Sequence, residues 1–305
     1  MSDILLIGQI VADVVVRPVD AFPRDGVCLM TDEVGVFPGG CTLNTALTMA
    51  KLGVRPKLVG KVGTDLMGTF LLDRIRTAEL GTERILRTEK SSTAIVMVSS
   101  AGERCFYYAR GGTETLCLDD IDLGQLDTAG RVHLSGVMKL EQLDIAHLLR
   151  RARNAGAITS MDVDYDSSGR WLETVAPYLE HLDLFLPSQD EAERITGERG
   201  HREMAGFLLS RGVGTVVIKR AEKGCYLRTS EAELTIPAYN VEPVDTTGAG
   251  DAFVGGFLTG LLRGWGLKRC AELANACGAC AVSALGATTG VRNLEETLAW
   301  MEDHR

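Results

Sequence analysis

Short apolar runs alternate with longer amphipathic stretches along most of this chain. The opening DILLIG ends in a glycine, as a buried parallel strand does, and VADVVVRPV follows as a second, β-branched run. After the polar, proline-bearing DAFPRDG, the segment EVGVF alternates and runs into Pro38-Gly39-Gly40. From Thr42 the pattern changes to the helical period: Leu43, Ala46, Leu47 and Ala50 share one face, and Gly53 marks the stop. PKLVGKVG reads as a strand, and DLMGTFLLDRIRTAELG as a helix capped by Asp65 and closed by Gly81. TAIVMVSSAGERCFYYA reads as two strands joined at Ser100-Ala101-Gly102-Glu103, a hairpin.

From about Arg131 the alternation becomes regular. RVHLSGV, AITSMDVD, DLFLPS and TVVIKR read as strands, separated by the helical stretches EQLDIAHLLRRARNAG, WLETVAPYLEHL, QDEAERITG and REMAGFLLSRG. Strands and helices in turn, with short connections, predict an α/β fold: a mostly parallel sheet covered by helices on both faces. Segments 13–36 and 93–110 are strand-rich and interrupt that order, so they are expected to form a small β lid. With no repeat, linker or low-complexity tract, residues 1–305 read as one domain carrying an inserted lid.

Composition narrows the function classes. With 45% hydrophobic residues in 305, the chain can bury a full core. Lys and Arg number 32 against 41 Asp and Glu, a formal charge of −9 with no basic block, which argues against nucleic acid as a partner. No apolar run approaches a membrane span, and MSDILLIGQI has the wrong flanks for a signal peptide. Eight scattered cysteines in a chain this large predict a reduced, cytoplasmic protein without disulfide staples. Cys277 and Cys280 form a CxxC, but no second pair or nearby His completes a metal site, so they are expected to be small core residues.

The chemistry concentrates in VDTTGAGDAFVGGFLTGLL, residues 244–262. No Lys-Ser/Thr follows the glycines, so this is not a Walker A loop, and Phe253 stands where GxGxxG requires its third glycine. What remains is a glycine-flanked turn opening an apolar helix. The first amides of a helix have no intrahelical partner and carry the positive end of its dipole, so they form an anion site. Gly248 and Gly250 let those amides approach a phosphate closely. Asp251 has two readings. It caps the helix, or it accepts a proton from a hydroxyl attacking a terminal phosphate, with the helix end keeping it ionised.

The same stretch resembles the C-terminal signature of the ribokinase/PfkB family of carbohydrate kinases. GGCTLNTALTMAKLGVRPKLVGKVGTDLMG, residues 39–68, resembles the family's N-terminal signature, so the resemblance covers nearly the whole chain. It implies a ribokinase-like three-layer α/β/α sandwich with a small β-sheet lid, dependence on ATP and Mg²⁺, and in some relatives on K⁺. It also implies a homodimer formed lid to lid. Asp251 matches the family's catalytic base, and Gly248, Ala249 and Gly250 match the anion hole for the transferring phosphoryl group. Asp13, Gly39, Gly40 and Asn44 match the sugar-binding positions, chemistry their side chains suit, although a turn at Gly39-Gly40 and a capping role for Asn44 are open alternatives.

LFLPSQDEAERITG resembles the stretch in which Asn-x-x-Glu organises Mg²⁺ through water. Glu191 matches, and Ser188 replaces the Asn. TVVIKRAEKGCYL places Lys219 and Gly224 near ATP by the same resemblance, against the ordinary expectation that a strand-end lysine is simply solvated. Asn275 matches the helix bordering the adenine, and Asp245 and Thr247 match the place of a monovalent cation. Where many relatives have Asp-x-Asn-x-Arg, this chain has Asp162, Asp164 and Asp166 with Arg170 later. Strand alternation would point Asp162 and Asp164 the same way, and Asp162 is expected beside the substrate. Arg110, on the second lid strand, is a candidate to reach over the substrate or an exposed arginine. His133, in a buried strand, is expected to be a satisfied core histidine.

The reading is an ATP-dependent kinase acting on a hydroxymethyl group of a small sugar or sugar acid of the ribose, fructose or keto-deoxy-gluconate type. The alternatives are a nucleoside kinase, with Phe22 and Phe106-Tyr107-Tyr108 as base-stacking candidates, and a sugar- or nucleotide-binding protein on the same fold.

Overall fold

Ile4 and Leu6 pack into one hydrophobic cluster while Leu5 and Ile7 pack into another, so the first strand lies inside a sheet covered on both faces. The structure, a computed structural model, describes residues 3–304. The chain runs through β1 (Ile4–Gly8), β2 (Val11–Arg17), β3 (Glu33–Gly39), α1 (Cys41–Lys51), β4 (Lys57–Gly63), α2 (Leu66–Thr77) and β5 (Ile85–Thr88). It continues through β6 (Ser92–Val98), β7 (Arg104–Ala109), α3 (Leu123–Leu126), β8 (Arg131–Ser135), α4 (Ile145–Asn154), β9 (Ile158–Met161) and α5 (Trp171–Leu179). The last third holds β10 (Leu184–Phe185), α6 (Gln189–Thr196), α7 (His201–Ser210), β11 (Thr215–Lys219), β12 (Cys225–Arg228), β13 (Glu233–Ile236), α8 (Ala249–Leu262), α9 (Leu267–Val282) and α10 (Leu294–Asp303).

Nine strands form the main sheet in the order β13-β12-β11-β10-β9-β8-β1-β4-β5. The run from β11 to β5 is parallel, and β12 pairs antiparallel with both its neighbours. Helices α4 to α7 cover the Leu5 and Ile7 face, and α1, α2, α8 and α9 cover the Ile4 and Leu6 face. This is the three-layer sandwich expected. Carboxyl ends of parallel strands are where such sheets bind ligands, and the candidate residues lie there.

The glycines inside the apolar helix α8 have a packing cause. A Cβ on Gly255 would come within 2.8 Å of the Thr48 side chain on α1. One on Gly256 would meet Cys277 Sγ at 2.9 Å, and one on Gly260 would meet Cys270 Sγ at 2.9 Å. Bare backbone lets α8 press between α1 and α9, which fixes its N-terminus against the site. Cys277 and Cys280 are buried free thiols of α9, and Cys277, with Cys270, fills this contact.

The lid is a separate four-stranded sheet, β3-β2-β6-β7. Its inner face buries Val15, Ala94, Val96 and Val98 with Phe37 and Tyr108 against them. On the outer face Val14, Val36, Ile95 and Tyr107 lie in one cross-strand row, beside Val16, Val34, Met97 and Cys105 in the next. Val34, Val36, Ile95 and Tyr107 are exposed.

Several elements depart from the pattern reading. β9 stops at Met161, so Asp162 and Asp164 follow the strand and strand alternation does not orient them. β10 is only two residues long, because Pro187 soon removes a ladder donor. Asp144 accepts a hydrogen bond from His147 N–H and so starts α4 at Ile145 rather than near Glu141. β5 and β13 are four-residue strands with too little pattern to announce themselves, whereas α10 goes unread although Asn293 and Glu296 form a capping box at its start.

Candidate active site

The end of β3 brings Gly39 under the Asp13 carboxylate, so closely that a Cβ on Gly39 would stand 2.1 Å from Asp13 Oδ2. Gly40 begins α1 with φ +86°, and a side chain there would strike the Gln9 carbonyl. Gly40, and not Asn44, is therefore the N-cap, which corrects the capping alternative for Asn44. Asn44 instead points away from its own helix end: its Nδ2 donates to Asp251 Oδ2 at 2.8 Å. Asn44 Oδ1 is buried without a partner.

Gly248 is the N-cap of α8, left-handed at φ +71°, and a Cβ there would lie 2.3 Å from Ala287 Cβ. No side chain caps this helix, so Asp251 sits in the first turn without capping it. The first hydrogen bond of the helical pattern is Ala252 N–H to the Gly248 carbonyl. Ala249 N–H is turned to the Thr246 carbonyl at 3.4 Å, which leaves the Gly250 and Asp251 amides as the open donors. Lys219 Nζ lies 3.4 Å from where a Gly250 Cβ would be, so the ammonium faces the same place. Lys219 is thus drawn into the site rather than solvated at its strand end.

Asp245 organises the loop. Its carboxylate accepts from Thr247 N–H at 2.9 Å, Thr247 Oγ1 at 2.6 Å and Gly286 N–H at 2.9 Å. Arg104 Nη1, on lid strand β7, donates to Thr247 Oγ1 at 3.2 Å and joins the lid to the loop.

Burial dominates the electrostatics. It raises Asp251 to about 6, with the charge of Asp162 adding and Asn44 opposing. A carboxyl at about 6 is still mostly ionised at neutral pH, as a base requires. Burial, then Asp251 and Asp245, raise Asp13 to about 7. Burial likewise pushes up Asp162 and Glu191, with Lys219 opposing in both, and it raises Asp164 to about 7 against the Lys139 ammonium. For Lys219 itself burial works against the charge, but Glu191, Asp162 and Asp251 hold its pKa above the ordinary value. His133 is pushed down to about 3, first by burial and then by Lys219, so its ring is neutral.

Ser188 and Glu191 form a capping box on α6: Glu191 accepts from Ser188 N–H at 2.6 Å, and Ser188 Oγ accepts from Glu191 N–H at 3.3 Å. Ser188 also bridges to Lys219 in parallel. Only oxygen donors gather here, and among the described residues no group of three His, Cys, Asp or Glu side chains is placed to enclose a metal ion. That suits Mg²⁺, which keeps most of its waters and takes few protein ligands, and Glu191 could hold one of those waters.

Some expected residues lie apart. Arg110 pairs with Glu141 and is about two-thirds exposed (68%) rather than turned over the acceptor site. Asn275 donates to the carbonyls of Ile236 and Pro237, bracing the end of β13. Gly224 makes room for the Ile236 carbonyl, 2.0 Å from where its Cβ would be. Among the base-stacking candidates, the Tyr108 hydroxyl is committed to Glu114 at 2.7 Å, and Phe22 is exposed. Asp166 caps its own turn through Ser168. Sequence reasoning missed Arg104, which has no signal beyond its place on the lid. It also missed the Ser188-Glu191 box, although S-x-x-E before a helix is a readable signature.

A half-buried carboxylate, open helix amides and a lysine converge at the strand ends. The profile of the pfkB family of carbohydrate kinases matches residues 1–294, and the chain belongs to that family. An uncharacterised sugar kinase of Archaeoglobus fulgidus is 30% identical over 80% of this chain and 97% of its own. The 2-dehydro-3-deoxygluconokinase of Bacillus subtilis is 28% identical over 90% of each. The fold is shared with an E. coli protein described as a ribokinase II, in complex with ATP and Mg²⁺, at a TM-score of 0.88 and 23% identity over all of both chains. Among the described residues no helix is long and apolar enough to cross a membrane.

Proposed function

We propose that this protein transfers the γ-phosphoryl group of ATP to a hydroxymethyl group of a small sugar or sugar acid, with Asp251 as general base. The observation that carries the reading is Asp251 itself: a half-buried carboxylate on the first turn of a helix it does not cap, held by Asn44 from another element. A carboxylate beside an anion site opposes simple phosphate binding, but it suits proton removal from an attacking hydroxyl.

Asp13, Asn44 and the bare backbone of Gly39-Gly40 receive the acceptor's hydroxyls, with Asn44 Oδ1 open to a donor from the sugar. Asn44 fixes Oδ2 of Asp251 and the Cys41 side chain also bonds to this carboxyl, whose remaining oxygen is assigned to the acceptor hydroxyl. As that hydroxyl oxygen bonds to the γ-phosphorus, its proton passes to Asp251 and the bond from the γ-phosphorus to the bridging oxygen breaks, releasing ADP. The Gly250 and Asp251 amides and Lys219 receive the negative charge of the transferring group where it builds up. When bound, Mg²⁺ supplies further neutralisation of the β- and γ-phosphates, and Glu191 is the carboxylate assigned to a water of that ion. Asn275 and Gly224 act on the nucleotide side only indirectly, by fixing the end of β13, and Arg104 holds the lid on the Asp245–Thr247 loop.

The outer lid face supports a second proposal, a homodimer packed lid to lid. Its rows of Val, Ile, Met and Tyr form a continuous apolar face on one sheet, and a second copy offers the matching surface. The test of function is ADP release with Mg·ATP across pentoses, hexoses, keto-deoxy sugar acids and nucleosides. Turnover on a free sugar or sugar acid is expected. Turnover confined to nucleosides would contradict it.

A further inference from the structure

A chain of buried polar side chains crosses strands β8 and β9 beneath the cleft. His133 Nδ1 lies 2.9 Å from Ser160 Oγ, and His133 Nε2 lies 3.3 Å from Ser135 Oγ. Ser135 Oγ donates to Asp162 Oδ1 at 2.6 Å. All four residues are at most 3% exposed, in positions where a parallel sheet ordinarily carries Val, Ile or Leu. Asp162 Oδ2, by contrast, is buried with no partner.

Counting protons fixes the direction of the chain. A serine hydroxyl has one hydrogen, and Ser135 spends it on the Asp162 carboxylate. Ser135 can therefore only accept from the neutral His133 ring, so the imidazole proton must be on Nε2. Nδ1 is then an acceptor for Ser160, whose single hydrogen has the Val132 carbonyl, at 3.3 Å, as its other acceptor; His133 Nδ1, at 2.9 Å, is the nearer. With that hydrogen on Nδ1, each donor points toward Asp162. One carboxylate oxygen is occupied while the other has no partner, in a side chain that interacts electrostatically with Lys219, Glu191 and Asp251.

We propose that His133 is a positioning residue. Through Ser135, the Ser160–His133–Ser135 chain orients Asp162 so that its free oxygen is presented to the cleft for a bound donor, a substrate hydroxyl or a coordinated water. The proposal rests on reading the cleft as catalytic, and it gives the buried histidine a task beyond filling the core. A buried polar column is costly unless complete, and here completeness ends at a single open carboxylate oxygen.

The test is a double-mutant cycle with one measurement independent of turnover. Ser135→Ala and His133→Phe should each lower kcat by about 10–100-fold, the scale seen when an orienting partner of a functional ligand is lost. Neither should lower it further in an Asp162→Asn background, because the chain acts only through that carboxylate. His133→Gln, whose amide nitrogen can occupy the place of Nε2, should recover most of the loss. Unchanged kcat in Ser135→Ala, or losses that multiply with Asp162→Asn, would overturn the proposal. Independently, long-range ¹H–¹⁵N correlation spectra of the ligand-free protein should show His133 protonated on Nε2. An Nδ1–H tautomer would mean that the chain runs away from Asp162 and would also overturn it. The tautomer decides the matter if a variant does not fold or Asp162→Asn shows no turnover. It also separates this proposal from the functional reading, since it needs no substrate.

Discussion

Asn44 donates to Asp251 at 2.8 Å across 207 positions of sequence, joining the first turn of α1 to the first turn of α8. Each helix begins on a left-handed glycine, Gly40 or Gly248, and neither of the two polar residues caps its own helix. The contact brings the two resemblance-bearing segments together at the N-termini of α1 and α8. It also makes the state of Asp251 depend on Asn44.

The pH profile follows from that dependence. A base must be ionised, and burial with nearby charge places Asp251 at about 6 and Asp13 at about 7. These carboxyls are coupled, so kcat/KM of the free enzyme should fall on an acid limb between those two values. Asn44 lowers the Asp251 pKa, so Asn44→Ala should move the limb to higher pH. A limb near 4, unmoved by the substitution, would contradict the electrostatics.

Stability should show the opposite sign at Asp13. Its folded pKa of about 7 lies above the ordinary 3.8, so the folded state holds the proton more tightly than the unfolded chain. The favourable contribution is full below the unfolded value and is lost as pH rises through the folded one. Asp13→Asn removes a buried carboxylate and should raise Tm at pH 8, with a smaller gain at pH 5. Thermal melts at the two pH values check this.

Gly248→Ala forces a side chain into both a left-handed backbone and Ala287. A destabilisation of about 1–3 kcal/mol is expected from the backbone alone, together with loss of kcat as the loop shifts. Chemical denaturation and steady-state kinetics on the same variant measure both.

The lid makes an assembly prediction. Light scattering should give a dimer, and replacing Val36 and Ile95 with Glu should give a monomer whose fold, by circular dichroism, is unchanged. A wild-type monomer at micromolar concentration would remove the lid-to-lid proposal.

Much of this was legible in the chain because the signals are local. Strand and helix order from β8 to β11 follows from apolar periodicity, and the cap at Asp65 from one residue, which accepts from Gly68 N–H as a cap does. The glycine turn that opens α8 at Gly248 was legible from its glycines. What stayed hidden depends on distance in sequence: the Asn44–Asp251 contact, the Arg104–Thr247 contact from the lid, and the burial of Lys219 among three carboxylates. The elevated pKa of Asp251 is of the same kind, since desolvation belongs to the assembled cleft and not to the turn. Arg110 shows the converse, a residue placed well by sequence position whose side chain found Glu141 instead.

The central claim is that Asp251 removes the acceptor's proton, and the direct measurement is turnover of Asp251→Asn beside wild type on the best sugar acceptor. Asparagine keeps the shape and can still bond to Asn44, so ATP and sugar binding should persist by calorimetry while kcat falls by about 10²–10⁴-fold. Activity above a tenth of wild type would contradict the account.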